Sequence, residues 1–271
     1  MAFREVNGLN LYYDSVGSGE PLVMVHGSWG DHNNWAAVTP RLSESFRVVT
    51  YDRRGHSQSE RPAGQGSVHE DVADLAALLE RLDIAPAHVV GNSFGASISL
   101  RLAGERPDLF RSLVVHEPPL LAILQGGPEF DPMLADFNQR AEAVVELLES
   151  GQMDPAAKLF VDTIAFGPGA WETLPQPIRE TFVRNAPTWL DETKDPESLA
   201  VDLGALASFD KPALATKGTE SPPFFSPIVD QLLASLPRST SHVFEGAGHV
   251  PHISDPRQYV QTVKEFCASA D

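Results

Sequence analysis

Residues 91–95 read Gly91-Asn92-Ser93-Phe94-Gly95, a G-x-S-x-G pattern whose setting matters more than the match itself. His88-Val89-Val90 supplies a strand before it, and Ala96-Ser97-Ile98-Ser99-Leu100 a helix after it. A serine on so sharp a strand-to-helix turn has strained backbone angles, and glycines two positions to either side let neighbouring chains pass closely. The helix N-terminus behind the serine favours developing negative charge. Ser93 is therefore a candidate nucleophile, and the alternative is an ordinary Gly-rich turn with a capping serine. Metal chemistry has little support, because the chain has no H-E-x-x-H and no close His/Asp/Glu group with ligand spacing.

The elements around this turn alternate. Two short alternating segments, 2–7 and 9–16, flank Asn7-Gly8, a strong hairpin dipeptide. Continuous apolar runs follow at Leu22–Val25, Val48–Tyr51, His88–Val90 and Leu113–Val115, as suits parallel strands buried on both faces. The clearest helix begins at Ser67, which forms an S-x-x-E capping box with Glu70. Val68, Val72, Leu75, Leu79 and Leu82 then make one apolar stripe. The class is α/β with a mostly parallel sheet.

From Pro118 the rhythm breaks. Residues 118–206 hold helical stretches at Ala135–Ser150, Pro155–Ala165 and Pro177–Ala186, punctuated by Gly126-Gly127-Pro128 and Gly167-Pro168-Gly169, with no credible strand. A strand at 212–217, a helix at 226–236, a strand at 239–245 and a helix after Ser254 restore the pattern. The reading is one core, 1–117 and 207–271, interrupted by a helical insertion, 118–206.

The 271 residues, 42% hydrophobic and 21% charged, have a globular composition. The net charge of −17 disfavours nucleic acid, since nothing offsets phosphate repulsion. Cys267 is the only cysteine, so no intramolecular disulfide forms. No apolar run approaches a membrane span and the first residues lack a signal-peptide pattern, so no membrane partner and a cytoplasmic location are the default expectations. Assembly as a homodimer is left open.

The chain resembles the α/β-hydrolase family over nearly its whole length outside the insertion. His26-Gly27-Ser28-Trp29-Gly30, after the strand Leu22–Val25, looks like the family's HG-x-x-G loop. That implies an oxyanion hole formed by the N–H of Ser28, or second by that of Trp29, together with the N–H of Phe94. Each such donor is worth roughly 3–4 kcal/mol in the transition state. Trp29 and Phe94 are expected to flank bound substrate. Asp52 and Arg53, in a segment similar to the family's D-x-R-G-x-G-x-S turn, are read as structural, as is His26. Gly246-Ala247-Gly248-His249 resembles the family's G-x-G-H loop and implies His249 as the base, with His252 the rival. The insertion corresponds to the family's helical cap.

One position departs from the pattern. The family's acid usually sits in a G-x-x-D turn after the seventh strand, and here that turn reads Gly218-Thr219-Glu220-Ser221. Ser221 cannot ionise. Glu117, at the end of the sixth strand, lies where some haloalkane dehalogenases and zearalenone-lactonase-like hydrolases carry a glutamate, and the order Ser93, Glu117, His249 keeps the family's nucleophile–acid–base sequence. Glu117 is the expected acid, with Glu220 the alternative. The resemblance then implies a serine hydrolase needing no cofactor or metal, cleaving an ester or lactone of a low-polarity small molecule. Leu120, Leu121, Leu124, Phe137, Phe160, Phe166, Trp171 and Trp189 are the apolar cap residues available to it. C–C bond hydrolysis, cofactor-free peroxidase-like activity and a small-ligand receptor are the alternatives.

Overall fold

Asn7 and Gly8 both take positive φ, 49° and 81°, and close a two-residue hairpin between β1 (Ala2–Val6) and β2 (Leu9–Val16). Two left-handed residues give the turn the twist that flanking strands require, and the Asn-Gly pair tolerates it. The computed structural model describes residues 2–270. The strands that follow are β3 (Glu20–Val25), β4 (Phe46–Tyr51), β5 (Ala87–Asn92), β6 (Phe110–His116), β7 (Ala213–Gly218) and β8 (Ser239–Phe244). They form one sheet in the order β1-β2-β4-β3-β5-β6-β7-β8, antiparallel through β1, β2 and β4 and parallel from β4 to β8. β5 and β6 are parallel neighbours inside the sheet, so their C-terminal ends lie side by side at one edge of the core.

The apolar runs are continuous because both faces of the sheet are covered. Val23, Val25, Val89, Leu113 and Val115 face one layer, built by the helices Val68–Arg81, Phe94–Glu105 and Phe225–Ser235. Leu22, Met24, Val48, Val90, Val114 and Leu214 face the other, with Trp35, Tyr259, Val263 and Cys267, the last three on the closing helix Pro256–Ser269. The capping box forms: Ser67 Oγ accepts the His69 N–H and Glu70 Oε2 accepts the Ser67 N–H at 3.1 Å.

Among the described residues, no strand lies between β6 and β7. Helices Asp131–Glu149, Met153–Phe160, Gln176–Asn185 and Thr188–Lys194 fill the interval, with one π turn at Val161–Ala165. The short helix Thr188–Lys194 has no counterpart in the sequence reading. These helices bury a cluster of their own, centred on Val144, Leu148, Phe160, Val161, Trp171, Phe182 and Trp189. The two ends of the interval pack differently. Leu120, Leu121, Leu124 and Leu206 belong to the core layer beneath, not to the cap cluster. No described helix is long and apolar enough to cross a membrane.

Candidate active site

Ser93 joins β5 to the helix Phe94–Glu105 with φ 55° and ψ −126°, a strained conformation for a residue with a side chain. The sequence pays for it with close approaches that only glycine permits: a Cβ on Gly95 would lie 2.2 Å from the Val25 carbonyl oxygen, and one on Gly91 2.6 Å from the Ala96 Cα. The Ser93 N–H donates to the His116 carbonyl at 2.9 Å, extending the β5–β6 pairing to the turn itself. Phe94 is the first residue of the helix, where a backbone N–H has no intrahelical acceptor.

Glu117 follows β6 directly. Its N–H donates to the Thr216 carbonyl at 3.3 Å, and a positive φ of 46° turns the chain out of the sheet. The fully buried carboxylate accepts the Gly218 N–H on Oε1 and lies 2.7 Å from His249 Nδ1 on Oε2. Burial by itself raises this carboxyl. Hydrogen bonding and charge interaction with His116 and His249 outweigh it and hold the group well below the usual carboxylate range. An ionised carboxylate at Nδ1 keeps the proton on that nitrogen and leaves Nε2 as the basic one. The His249 carbonyl accepts from Asn92 Nδ2 at 3.0 Å, and its ring stacks on Phe225 with centroids 4.5 Å apart. The histidine loop is thus tied to the residue before Ser93.

The rival residues lie elsewhere. Glu220 is exposed, and its N–H donates to the Ala247 carbonyl; among the described residues the carboxylate bonded to His249 is that of Glu117. His252 is fully buried between Trp35 and Tyr259 on a short turn, Pro251–Ser254, ahead of the last helix, and burial drives its pKa well below the ordinary value. His26 Nε2 accepts the Arg53 N–H at 3.0 Å, and burial first, then the Arg53 charge, lowers its pKa to about 3. It is a neutral strut. Asp52 takes the N–H groups of His32 and Gln58 and lies 2.6 Å from His32 Nδ1.

Ser93, Ser28, Phe94 and His249 line one cavity of about 560 Å³ beneath the cap. Phe137, Phe160, Ile164, Trp189, Phe224 and Phe225 form its apolar wall. Its carboxylates are Glu142, Glu146, Glu192 and Asp195, and among the described residues no lysine or arginine lines it. Trp29 is a correction to the sequence reading, because it does not line this cavity. Its own φ of 65° turns the fully buried indole up into the cap, where it stacks on Phe160 at 4.6 Å beside Trp189 and Phe182.

Two groups of side chains have metal-ligand proximity, His116 with Glu117 and His249, and Asp31 with His32 and Asp52. In each the carboxylate oxygens are engaged by hydrogen bonds, to Gly218 and His249 in the first and to His32, Asn33, Ser57 and Gln58 in the second. A cation would have to displace those bonds.

Sequence reasoning missed Glu192. It sits on the cap helix Thr188–Lys194, yet its carboxylate accepts from Ser28 Oγ at 2.5 Å and from Arg53 Nη1 and Nη2 at 3.1 Å. Arg53 also makes a two-point pair with Asp71 and lies 4.8 Å over the Phe94 ring. Burial raises the Glu192 pKa to about 7, against the lowering effect of Arg53 and Ser28. Its partners are 164 and 139 residues away in the chain, so no local pattern marks it.

The model of the alpha/beta hydrolase family matches residues 22–262. The chain is 35% identical over 162 residues to YraK of Bacillus subtilis (strain 168), described as an uncharacterized hydrolase, a match covering 57% of this chain and 59% of that one. It is 28% identical over 278 aligned positions to the 2-hydroxymuconate semialdehyde hydrolase of Pseudomonas sp. (strain CF600), covering 97% of this chain and 92% of that one. The enol-lactonase from Burkholderia xenovorans LB400 superposes with a TM-score of 0.79 at 22% identity, over 98% of this chain and 100% of its own, a likeness of fold. The strained serine between β5 and its helix, the mostly parallel eight-stranded sheet and the extent of the family match lead to one conclusion: this chain belongs to the alpha/beta hydrolase family.

Proposed function

We propose that the chain is a serine hydrolase that cleaves a carboxylic ester or lactone of a low-polarity small molecule through an acyl-enzyme. The observation that carries this reading is the Glu117 carboxylate held between Gly218 N–H and His249 Nδ1, buried behind the histidine that lines the cavity together with Ser93 on its strained turn. In this mechanism Ser93 Oγ attacks the carbonyl carbon and its proton passes to His249 Nε2. Glu117 stabilises the resulting imidazolium. The oxyanion is received by the N–H groups of Ser28 and Phe94. His249 returns the proton to the leaving alkoxide, then takes one from water, whose hydroxide attacks the acyl carbon, and gives that proton to Ser93 Oγ as it leaves. Atoms and charges balance with substrate and water alone.

A second reading, C–C bond hydrolysis of a dienoate-type ketone, is favoured by the full-length similarity to a 2-hydroxymuconate semialdehyde hydrolase. The cavity opposes it. A dienoate carries a carboxylate, and a wall with four acidic residues and no lysine or arginine offers no cation to receive it. A neutral ester or lactone meets no such conflict. Turnover on short p-nitrophenyl esters, a lactone panel and a dienoate ketone separates the readings, and a receptor would turn over none of them at a useful rate. Ser93→Ala should abolish ester cleavage with thermal unfolding close to wild type. A variant keeping more than a few per cent of activity, with contamination excluded, would remove Ser93 from its role.

A further inference from the structure

We infer that Glu192 is a positioning residue: from the cap it fixes the Ser28 hydroxyl, and with it the loop that supplies one oxyanion donor. This inference rests on the serine-hydrolase reading above.

The loop 26–30 leaves the core after β3 and carries two side chains of opposite fate. Ser28 points toward the cavity, and the Trp29 indole is sunk in the cap cluster. Such a loop needs anchors on the cap side, and the structure provides two. Asn185 Nδ2 donates to the Gly30 carbonyl at 2.7 Å and to that of Trp29 at 3.3 Å. Glu192 Oε2 accepts from Ser28 Oγ at 2.5 Å. Both anchors belong to the same stretch of cap, and Thr188 between them meets His56 Nε2 at 3.0 Å. The polar face of that stretch is therefore spent on the core loops and not on solvent.

Glu192 itself is held from below. Its other oxygen, Oε1, accepts both terminal nitrogens of Arg53, whose Nε and Nη2 are fixed by Asp71 on the helix Val68–Arg81. The guanidinium also donates toward the Gly27 carbonyl at 3.4 Å and covers the Phe94 ring. One cation thus touches the residue before the first proposed donor and the residue that bears the second. Oxyanion stabilisation depends on donors standing in place before charge develops, and small misplacements are costly. Once ionised, above its pKa of about 7, Glu192 makes a charge-assisted bond that holds the Ser28 side stiffly.

The role is read by phosphonate labelling of Ser93, because the phosphonyl oxygen occupies the oxyanion position whatever the natural substrate is. Glu192→Gln should slow labelling by about 10- to 100-fold and lower kcat on a p-nitrophenyl ester by a similar factor. KM should move less than about threefold, because the cavity wall is unchanged. Ser28→Ala, which keeps the backbone N–H, should act in the same range, and the double variant should be no slower than the slower single one. Glu192→Asp should restore part of the rate. Labelling of Glu192→Gln within about twofold of wild type, or effects that multiply in the double variant, would overturn the inference. Should Glu192→Gln fail to fold, Ser28→Ala decides alone, since it breaks the same bond from the core side. A wild-type chain that phosphonate does not label at all sinks the serine-hydrolase reading, and this inference with it. Normal wild-type labelling with an unaffected Glu192→Gln sinks only the inference.

Discussion

The carboxylate of Glu117 has two oxygens with separate tasks. Gly218 N–H locks one, so the other meets His249 Nδ1 in a fixed orientation and stays ionised despite complete burial. Glu117→Gln keeps the shape and removes the charge, so kcat should fall by roughly 10²–10⁴ in a steady-state ester assay. Glu220→Gln, at an exposed position, should change it by less than about tenfold. The opposite ranking would reassign the acid. If Ser221→Asp partly rescues Glu117→Gln, the two positions serve one role. The places of Ser93 and His249 were legible from motifs at strand ends, and that of Glu117 from its position closing the sixth strand; their joint catalytic role belongs to the proposal. The Trp29 side chain was not. Its neighbours Phe160, Phe182 and Trp189 lie far along the chain, and only the positive φ at Trp29 decides that it rises into the cap and leaves the cavity.

At the scale of elements, the strands and their order of appearance could be read from apolar runs, because burial on both faces leaves a continuous signal. The helix Thr188–Lys194 could not, for its seven residues are too few to show a period and its polar face is matched to distant loops. The edges of the insertion were also hidden. Leu120, Leu121, Leu124 and Leu206 are apolar in either setting, and only packing shows that they cover the core layer. Among the described residues, Trp29 is the one core-loop residue in the cap's own cluster, which makes it the peg on which the cap is seated. Trp29→Ala should leave a void among three aromatic rings and cost on the order of 3–5 kcal/mol. Denaturant unfolding, read by cap proteolysis and by circular dichroism, should show the cap loosening first. A midpoint within error of wild type would deny Trp29 that part.

For the whole molecule, buried titratable groups set opposing pH trends. His26, His56 and His252 all have pKa values pushed down, with burial the largest cause. The unfolded chain takes up protons on them below about 6.5, where the folded chain does not. Their contribution is complete above that pH and is lost as pH falls, for His26 down to about 3. Glu192 runs the other way. Its folded value of about 7 exceeds the ordinary carboxyl value of 4.5, so its contribution is present at low pH and is lost as pH rises from 4.5 through 7. The window corresponds to about 3 kcal/mol at most. Glu192→Gln should therefore gain stability relative to wild type as pH rises from 5 to 8, and should keep the weakening below about 6.5 that the three buried histidines impose. Unfolding free energies measured at each pH check both limbs, and a difference between the two proteins that does not vary with pH would contradict the first.

Cys267 lies under 2% exposed on the closing helix, against the sheet face opposite the layer that carries the Ser93 helix. Because it is the only cysteine, a thiol reagent has a single target, and that target opens only when the rear layer lifts. The chain thus contains a built-in clock for breathing of its back side, independent of substrate. Reagent rates at low denaturant should be slow and should rise with the opening of the Pro256–Ser269 helix. They should be the same with and without phosphonate on Ser93 if the rear layer opens on its own, and slower with phosphonate if both layers open together.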